Sequence, residues 1–147
     1  MLSFRPLSVT DFPLLLTWLS NEHVKQWWND GDDTLEKVAL HYGAEEPDVA
    51  RFILVESTEV GERAIGYFQY CVVSKEIIGI DQLIGEPDLI NQGVGTAAIK
   101  LFLEMVIAII DLVRYRSEGE LPYRPYSDAL HYHENRYGTM DLIRSGI

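Results

Sequence analysis

A glycine-rich turn precedes the most apolar helical stretch of this chain. The turn reads Gln92-Gly93-Val94-Gly95-Thr96, and a helical pattern of apolar residues follows from Thr96 to Ile110. Glycine leaves backbone amides open to a ligand, and the first amides of a helix are unpaired and carry a partial positive charge. The turn therefore suits an anion such as a diphosphate. A glycine turn into a helix also occurs without any ligand, so the context must decide.

That context excludes two common phosphate-binding motifs. Three predicted strands precede the turn, namely Phe52 to Val55, Ala64 to Val73 and Ile77 to Ile84. A dinucleotide-binding motif would need an early βαβ unit instead. The turn also lacks the Lys-Ser/Thr ending of a P-loop.

Asp81 is an acidic residue inside an otherwise apolar predicted strand, Ile77 to Ile84. An ionised carboxylate in such surroundings needs a partner. The partner is either a cationic substrate, whose amine proton the carboxylate would accept, or a backbone amide that it holds in a purely structural role. The residue types alone leave both interpretations open.

Tryptophan, histidine and cysteine residues offer further candidates. Trp27-Trp28 is either a core anchor or an aromatic wall for a cation or a sugar, and we expect one ring buried and the other near a ligand. The four histidines show no ligand spacing typical of zinc, so no metal site is predicted. Cys71, the single cysteine, is expected to be a small buried residue and not a nucleophile.

The elements that must position these residues follow a simple order. A short edge strand is predicted from Ser3 to Leu7, and a helix capped at Thr10 follows it. A second helix starts at the capping-box pattern from Asp33 to Glu36 and ends near Gly43. Three antiparallel strands, the glycine turn and a buried helix complete the pattern. This order predicts a layered α/β (α+β) domain.

Composition narrows the function classes. The 147 residues suit one domain, and 12 basic against 23 acidic residues give a net charge of −11. Such acidity disfavours nucleic acid and anionic membranes as partners. The segment from Glu22 to Glu62 holds 11 acidic and three basic residues, either as a solubilising face or as a rim that attracts a cationic ligand. The single cysteine and the absence of a signal-like or membrane-spanning stretch favour the cytoplasm.

Several segments, taken in order, resemble one enzyme family. They are the Gly79-Ile80-Asp81-Gln82-Leu83-Ile84-Gly85-Glu86-Pro87 stretch, the Gly93-Val94-Gly95-Thr96 turn, Trp18-Leu19 followed by Val24 and Trp27-Trp28, and Ile65-Gly66-Tyr67-x-Gln69. Together they resemble the aminoglycoside 6′-N-acetyltransferase branch of the GNAT superfamily over residues 4–110. The resemblance implies a GNAT acyl-CoA N-acyltransferase fold, with a mixed, mainly antiparallel sheet and flanking helices, in a single domain over residues 1–147.

The resemblance also implies roles for individual residues. Acetyl-coenzyme A would be the cosubstrate, with its pyrophosphate on the turn and its pantetheine arm along the backbone of Leu83 and Ile84. Asp81 would face the acceptor amine as the base, and an amide near Leu83 would meet the thioester oxyanion. The turn residues are Asn91, Gln92, Gly93, Val94, Gly95 and Thr96, and the residues of the acceptor pocket are Trp27, Tyr67, Gln69 and Asp81.

The sequence departs from the family at two places. Family members usually carry Gly-Lys or Gly-Arg before the glycine turn, where Asn91 and Gln92 stand here; Asn tolerates a positive φ, so the turn is expected to keep its shape. Little beyond Asp111 indicates a strand, and Ser127 to Tyr137 fits a short polar helix. The tyrosine with which GNAT enzymes often protonate the leaving thiolate falls at His133, so Tyr132 beside it becomes the candidate general acid.

The atypical C-terminal part has a predicted consequence. Because the chain ends at Ile147, before the family's usual final strands, we expect an uncovered sheet edge and hence a homodimer or swapped assembly. Three functions remain open at this point. They are acetylation of a cationic small-molecule amine such as an aminoglycoside, acetylation of another amine such as a polyamine or a peptide N-terminus, and a catalytically inactive coenzyme A-binding protein.

Overall fold

The fold is a six-stranded sheet with helices on both faces. This computed structural model describes residues 1–74, 77–118, 130–134 and 140–144, and it gives side-chain surroundings for 1–74 and 77–111. The strand order is β1-β2-β3-β4-β6-β5. The strands are β1 Leu2–Pro6, β2 Val49–Thr58, β3 Gly61–Val72, β4 Ile77–Ile84, β5 Leu130–Glu134 and β6 Met140–Arg144. The predicted fold class, an antiparallel sheet with flanking helices, is confirmed.

Four helices flank this sheet. They are α1 Phe12–Ser20, α2 Glu22–Lys25, α3 Leu35–Tyr42 and α4 Val94–Glu118. The prediction of a cap at Thr10 is wrong, because a short 3-10 turn over Val9–Asp11 precedes α1. Thr34 does cap α3, since its side chain accepts the Lys37 N–H, but Asp33 pairs with the Lys37 ammonium instead of completing a capping box. No helix in the described ranges is both long and apolar enough to cross a membrane.

Each face of the sheet carries its own core. On one face, α1 to α3 pack through Leu15, Trp18 and Val38 against Ile53 and Tyr67. On the other face, α4 packs through Ala98, Phe102 and Val106 against apolar residues that include Phe4, Leu54, Phe68 and Ile80. Because side chains alternate along a strand, successive residues of β3, and likewise of β4, pack into opposite cores. This alternation decides which residues of β4 can meet a ligand on which face.

The C-terminal part differs from the prediction. Leu130–Glu134 is a strand and not part of a polar helix, and it pairs with β6. Strand β6 in turn pairs with Ile77–Ile80 of β4. Two strands thus follow α4 in an atypical arrangement, and the first half of β4 is covered. The structural reason for expecting self-association at that edge is removed, and a homodimer stays an untested prediction.

A contact between Trp18 and Gly85 joins α1 to the end of β4. The Trp18 Nε1–H donates to Glu86 Oε1 at 2.8 Å, and a Cβ added at Gly85 would overlap the Trp18 indole. Glu86 and Asp88 are both held by the Arg63 guanidinium of β3. The segment that leads from β4 towards α4 is thus fixed to α1 and to β3.

We predict that Gly85→Ala destabilises the protein, because the added methyl group must displace the buried indole. Overpacking of this kind costs about 1–3 kcal/mol of the free energy of unfolding. Gly95→Ala is the matched control, since a Cβ there would meet only Ile84 Cγ1 at an ordinary 3.8 Å. Urea unfolding of both variants measures the difference. Equal stabilities would contradict the proposed contact.

A second prediction concerns Asp11, which is 6% exposed. Its carboxylate accepts two hydrogen bonds from Arg5, both at 2.7 Å, and one from the Ser8 N–H. The hydrogen bonds from the Arg5 guanidinium hold the pKa of Asp11 below its ordinary value, against the opposing effect of burial. The stabilisation is therefore complete above the unfolded pKa of about 3.9 and is lost as the pH falls through the lower folded pKa.

Asp11→Asn should accordingly lower the free energy of unfolding at pH 7 by about 1–3 kcal/mol. The gap between the variant and the wild type should narrow when the pH drops below about 4. Asp33→Asn serves as control, because the Asp33–Lys37 pair is exposed and such pairs contribute little. Denaturant unfolding at pH 7, 5 and 3 is the measurement. A gap that does not change with pH would show that the Asp11 carboxylate is not the cause.

Candidate functional site

The glycine turn has the backbone geometry that an anion site requires. Asn91 has a φ of 61° and Gly93 a φ of 77°, so Asn91 does adopt the left-handed conformation expected of it. Helix α4 begins at Val94, and its first backbone bond runs from the Ala97 N–H to the Gly93 carbonyl. Within the described part of the chain, no hydrogen bond is recorded from the backbone amides of residues 91–96. The amides at the start of α4 are thus available to a ligand.

The second half of β4 lies beside this turn and has a strand on one side only. Strand β3 pairs with β4 along its length from Ile78 to Ile84, whereas β6 reaches no further than Ile80. Among the described strands, none covers the outer edge from Asp81 to Ile84. A half-paired strand presents free backbone groups to an extended ligand.

The direction of those groups follows from alternation along the strand. The Gly85 N–H bonds back to Ile65 of β3, so the backbone groups of the odd-numbered residues point to β3. The Ile84 carbonyl instead accepts a hydrogen bond from His23 Nε2 at 3.0 Å on the outer side. The outward amides are therefore those of Gln82 and Ile84. The expected oxyanion donor near Leu83 stays a prediction, and it would be one of these two amides because the Leu83 amide itself faces β3.

A cavity of about 310 Å³ connects the helix start, the strand edge and the tryptophans. Of the predicted residues, Trp27, Leu83, Ile84 and Gly95 line it together. The other turn residues, from Asn91 to Val94 and Thr96, adjoin Gly95 along the chain and do not line the cavity itself. The lining residues are His23, Val24, Trp27, Trp28, Phe68, Gln82, Leu83, Ile84, Ile90 and Gly95.

Asp81 belongs to a chain of hydrogen bonds on the face covered by α1 to α3. The Tyr67 hydroxyl donates to Gln69 Oε1 at 2.6 Å, and Gln69 Nε2 donates to Asp81 Oδ2 at 2.7 Å. Burial raises the pKa of Tyr67 far above its ordinary value, so the phenol keeps the proton that it donates to Gln69. This fixes the Gln69 amide with its nitrogen towards the carboxylate.

The structure therefore revises the roles of two predicted pocket residues. Tyr67 is 0% exposed and cannot contact a substrate amine. The prediction that Tyr67 forms part of the wall of the acceptor pocket is therefore wrong. Gln69, of intermediate exposure, is engaged by Tyr67 on one side and by Asp81 on the other. Both residues orient the Asp81 carboxylate, which itself is of intermediate exposure.

The two tryptophans differ in burial, although neither is fully buried as one ring was expected to be. Trp28 is partly buried, donates from Nε1 to the Tyr42 hydroxyl at 3.2 Å, and packs edge-on against Tyr67 with ring centroids 6.0 Å apart. Trp27 is 69% exposed and lies in the cavity wall. Trp28 thus anchors the segment in the core, and Trp27 presents an aromatic surface to the cavity.

Two functional candidates escaped the sequence interpretation. His23, which the sequence suggested only as a metal ligand, forms a hydrogen bond with the Ile84 carbonyl. Asn21 Nδ2 donates to the Gly85 carbonyl at 3.1 Å. These two bonds connect the start of α2 to the end of β4. Gln82 lines the cavity, and its buried Oε1 has no hydrogen-bond partner among the described atoms. The Gly-Ile-Asp-Gln pattern contained Gln82, but only the fold shows which way it points.

Part of the acidic segment converges on the Asp81 face. Burial raises the pKa of the Cys71 thiol, and the negative charges of Asp48, Asp81 and Glu46 raise it further. A thiol kept protonated is a poor nucleophile, and Cys71 is of intermediate exposure instead of buried as expected. Asp48 lies next to Cys71 in the fold, because its carbonyl accepts the Val72 N–H at 2.8 Å. Glu46 is also paired with Arg51 at 3.3 Å.

A second acidic group lies apart, in the loop before α3. The potential ligand atoms of Asp30, Asp32 and His41 lie within 4.8 Å of one another. His41 Nδ1 is 2.7 Å from Asp32 Oδ2, which gives the imidazole a partner within the chain. Exposed acidic groups are frequent on so acidic a surface, and we assign this group no role.

The structure gives no support to Tyr132 as the general acid. Its backbone pairs with Leu142 of β6, and Leu142 pairs with Ile78 near the start of β4. Tyr132 is thus two strands away from β4, at the end opposite the cavity. Its side chain lies outside the described residues, so the role remains a prediction.

Comparison with solved structures identifies the fold. A domain from Methanocaldococcus jannaschii superposes with a TM-score of 0.68 at 16% identity, over 97% of this chain and 96% of that one. The aminoglycoside acetyltransferase AAC(6′)-Ib in complex with coenzyme A and kanamycin gives 0.64 at 18% identity, over 98% and 94%. A chimera of spermidine N-acetyltransferase SpeG from Vibrio cholerae and hSSAT gives 0.61 at 13% identity, over 98% and 96%.

The sequence itself provides the family assignment. The profile of the family described as acetyltransferase (GNAT) domain matches residues 8–116, which include the Asp81 strand, the whole cavity lining and the glycine turn. The match ends close to the end of α4, so it does not depend on the atypical C-terminal strands. This chain belongs to the GNAT acetyltransferase domain family.

Proposed function

We propose that this protein transfers an acetyl group from acetyl-coenzyme A to a primary amine of a cationic small molecule, such as an aminoglycoside 6′-amine. The observation that carries the proposal is the single cavity at which the start of α4, the half-paired edge of β4 and Trp27 meet. The start of α4 suits a diphosphate, the edge of β4 suits an extended amide-bearing arm, and Trp27 offers an aromatic surface to the acceptor.

The cosubstrate side relies on backbone groups. The amides at the start of α4 and the positive end of its dipole bind a diphosphate without a basic side chain. Gln92 stands where the family usually carries Lys or Arg, so one charged phosphate contact is lost. The outward backbone of Gln82 and Ile84 would hold the pantetheine arm. Because His23 already occupies the Ile84 carbonyl, the arm is left with the Ile84 N–H and the backbone groups of Gln82.

The acceptor side is acidic. Asp81, Asp48 and Glu46 act together on the Cys71 region of the face covered by α1 to α3, and the whole chain carries a charge of −11. Convergent carboxylates attract and orient a molecule with several ammonium groups. An anionic or neutral acceptor would gain nothing from this field.

The chemistry requires a deprotonated amine. A lysine-like amine has a pKa of about 10.4 and is mainly charged near neutral pH, so the protein must first bind the cation and then accept its proton. Asp81 serves both steps, directly or through one water, and Gln69 holds its carboxylate in place. Acetyl-coenzyme A supplies the activated acyl thioester. The outward N–H of Gln82 or Ile84 is the preorganised donor for the oxyanion that develops.

A polyamine is the second candidate acceptor. It is favoured by the group of three carboxylates near Cys71, which suits a linear polycation as well as an amino sugar, and spermidine is named among the substrates of the structurally similar acetyltransferases. Thiol release measured with kanamycin, spermidine and a short peptide, each at matched concentrations, separates the acceptor classes. Coenzyme A binding with no thiol release in any arm would identify an inactive coenzyme A-binding protein.

We predict that Gly95→Val lowers the affinity for coenzyme A at least about tenfold, or 1.4 kcal/mol. Gly95 lines the cavity and has an ordinary φ, so valine fits the backbone while its side chain fills the space at the start of α4. Ala97→Val is the matched control, because Ala97 is exposed on the same helical turn. Titration calorimetry, with thermal shift as a check on folding, measures the effect. Failure of the wild type to bind coenzyme A would refute the proposed function.

A further prediction concerns Asp81→Asn. Loss of a general base reduces kcat by about 10²- to 10⁴-fold, whereas coenzyme A affinity should stay unchanged because Asp81 faces the acceptor side. Asp33→Asn, an exposed carboxylate paired with Lys37, provides the comparison. Thiol release under saturating acetyl-coenzyme A gives kcat. Turnover of Asp81→Asn equal to that of the wild type would remove Asp81 from the mechanism.

A further inference from the structure

Gln82 carries a buried acceptor atom that nothing in the described chain satisfies. Its Oε1 has no hydrogen-bond partner, although the residue lines the cavity beside Ile84 and Gly95. An unpaired buried carbonyl oxygen has a free-energy cost, because it has lost its hydrogen bonds to water without gaining others. Such a cost in a cavity wall indicates an atom that a ligand satisfies.

The position of Gln82 identifies the side of the cavity that it serves. It pairs with Phe68 in the register of β3 and β4, and Phe68 belongs to the core beneath α4. The side chain of Gln82 therefore points to the α4 face, where the glycine turn lies. Asp81, its neighbour, pairs with Gln69 and points to the opposite face. Two successive residues of β4 thus point to opposite faces of the sheet.

The chemistry of the partner follows from the atom. A carbonyl oxygen only accepts hydrogen bonds, so its partner must be a donor that reaches the cavity from the direction of α4. The part of an acyl-coenzyme A between the diphosphate and the thioester contains two secondary amides with N–H groups. Gly95, Ile84 and Gln82 line the same cavity, so one extended ligand can pass all three residues.

We propose that the Gln82 side chain binds the pantetheine arm of the cosubstrate by accepting one of its amide N–H groups. This inference rests on the proposed function, since it takes coenzyme A as the ligand. It assigns Gln82 to cosubstrate recognition and gives it no part in the acceptor chemistry. Without ligand, the protein is less stable than it would be with an apolar residue at position 82. The hydrogen bond from the ligand compensates for this loss of stability.

The test compares two ligands and two variants. Coenzyme A and 3′-phosphoadenosine 5′-diphosphate share the nucleotide and the diphosphate, and only coenzyme A has the pantetheine arm. Gln82→Leu should weaken coenzyme A binding about 3- to 10-fold, as expected for the loss of one hydrogen bond, and leave the affinity for the nucleotide unchanged. Gln26→Leu is the matched control, because Gln26 is exposed and does not line the cavity. Calorimetric titration measures all of these affinities.

A second readout needs no ligand. Replacing an unsatisfied polar atom with an apolar group should raise the melting temperature of the ligand-free protein by about 2–5 °C. Gln82→Met, which matches glutamine in length, repeats the experiment with a side chain of different shape if the leucine variant does not fold. Increased stability together with reduced coenzyme A affinity is the expected pair of results.

The outcomes separate the inference from the proposed function. If the wild type binds neither ligand, the proposed function fails. If the wild type binds coenzyme A and the Gln82 variants bind it equally well, the pantetheine contact is overturned and the proposed function stands. Equal weakening of both ligands would also overturn it, because the substitution would then act through the glycine turn or the fold.

Discussion

The half-paired strand β4 is the constraint on which the candidate site depends. Its first half is enclosed between β3 and β6, and its second half is bonded to β3 alone. The open edge leaves Gln82 and Ile84 with outward backbone groups. Alternation then directs Asp81 towards α1 to α3 and Gln82 towards α4. An acceptor and a cosubstrate can therefore meet at one strand without competing for the same side chains.

Buried polar contacts maintain this arrangement. The neutral Tyr67 phenol sets the direction of the Gln69 amide, which in turn holds Asp81. Hydrogen bonds from Asn21 and His23 connect α2 to the carbonyls of Gly85 and Ile84 at the end of β4. Trp27, which follows α2, thereby lies in the cavity wall. Trp18 fills the space that the missing side chain of Gly85 leaves. The cavity is consequently shaped by the α1–α2 segment, although its ligand-binding backbone comes from β4 and α4.

The strong acidity of the chain is compatible with binding of a phosphorylated cosubstrate because the two ligands meet different kinds of charge. Partial positive charges of backbone amides at the start of α4 are fixed in direction and act over a short range. The carboxylates near Cys71 act on the other face of β4. A cationic acceptor and an anionic cosubstrate can thus be attracted by one small protein whose net charge is −11.

Local sequence patterns determined the strands β1 to β4, the helices α1, α3 and α4, the left-handed Asn91 and the family, because periodicity, glycine position and motif order are properties of neighbouring residues. Tertiary structure alone decided that Tyr67 is buried, that the Leu83 amide faces β3, and that His23 and Gln82 reach the cavity. It also turned 130–134 into a strand where a polar helix was expected, since pairing with β6 outweighs weak local preference. Register and long-range pairing set these features, and no short segment of sequence contains them.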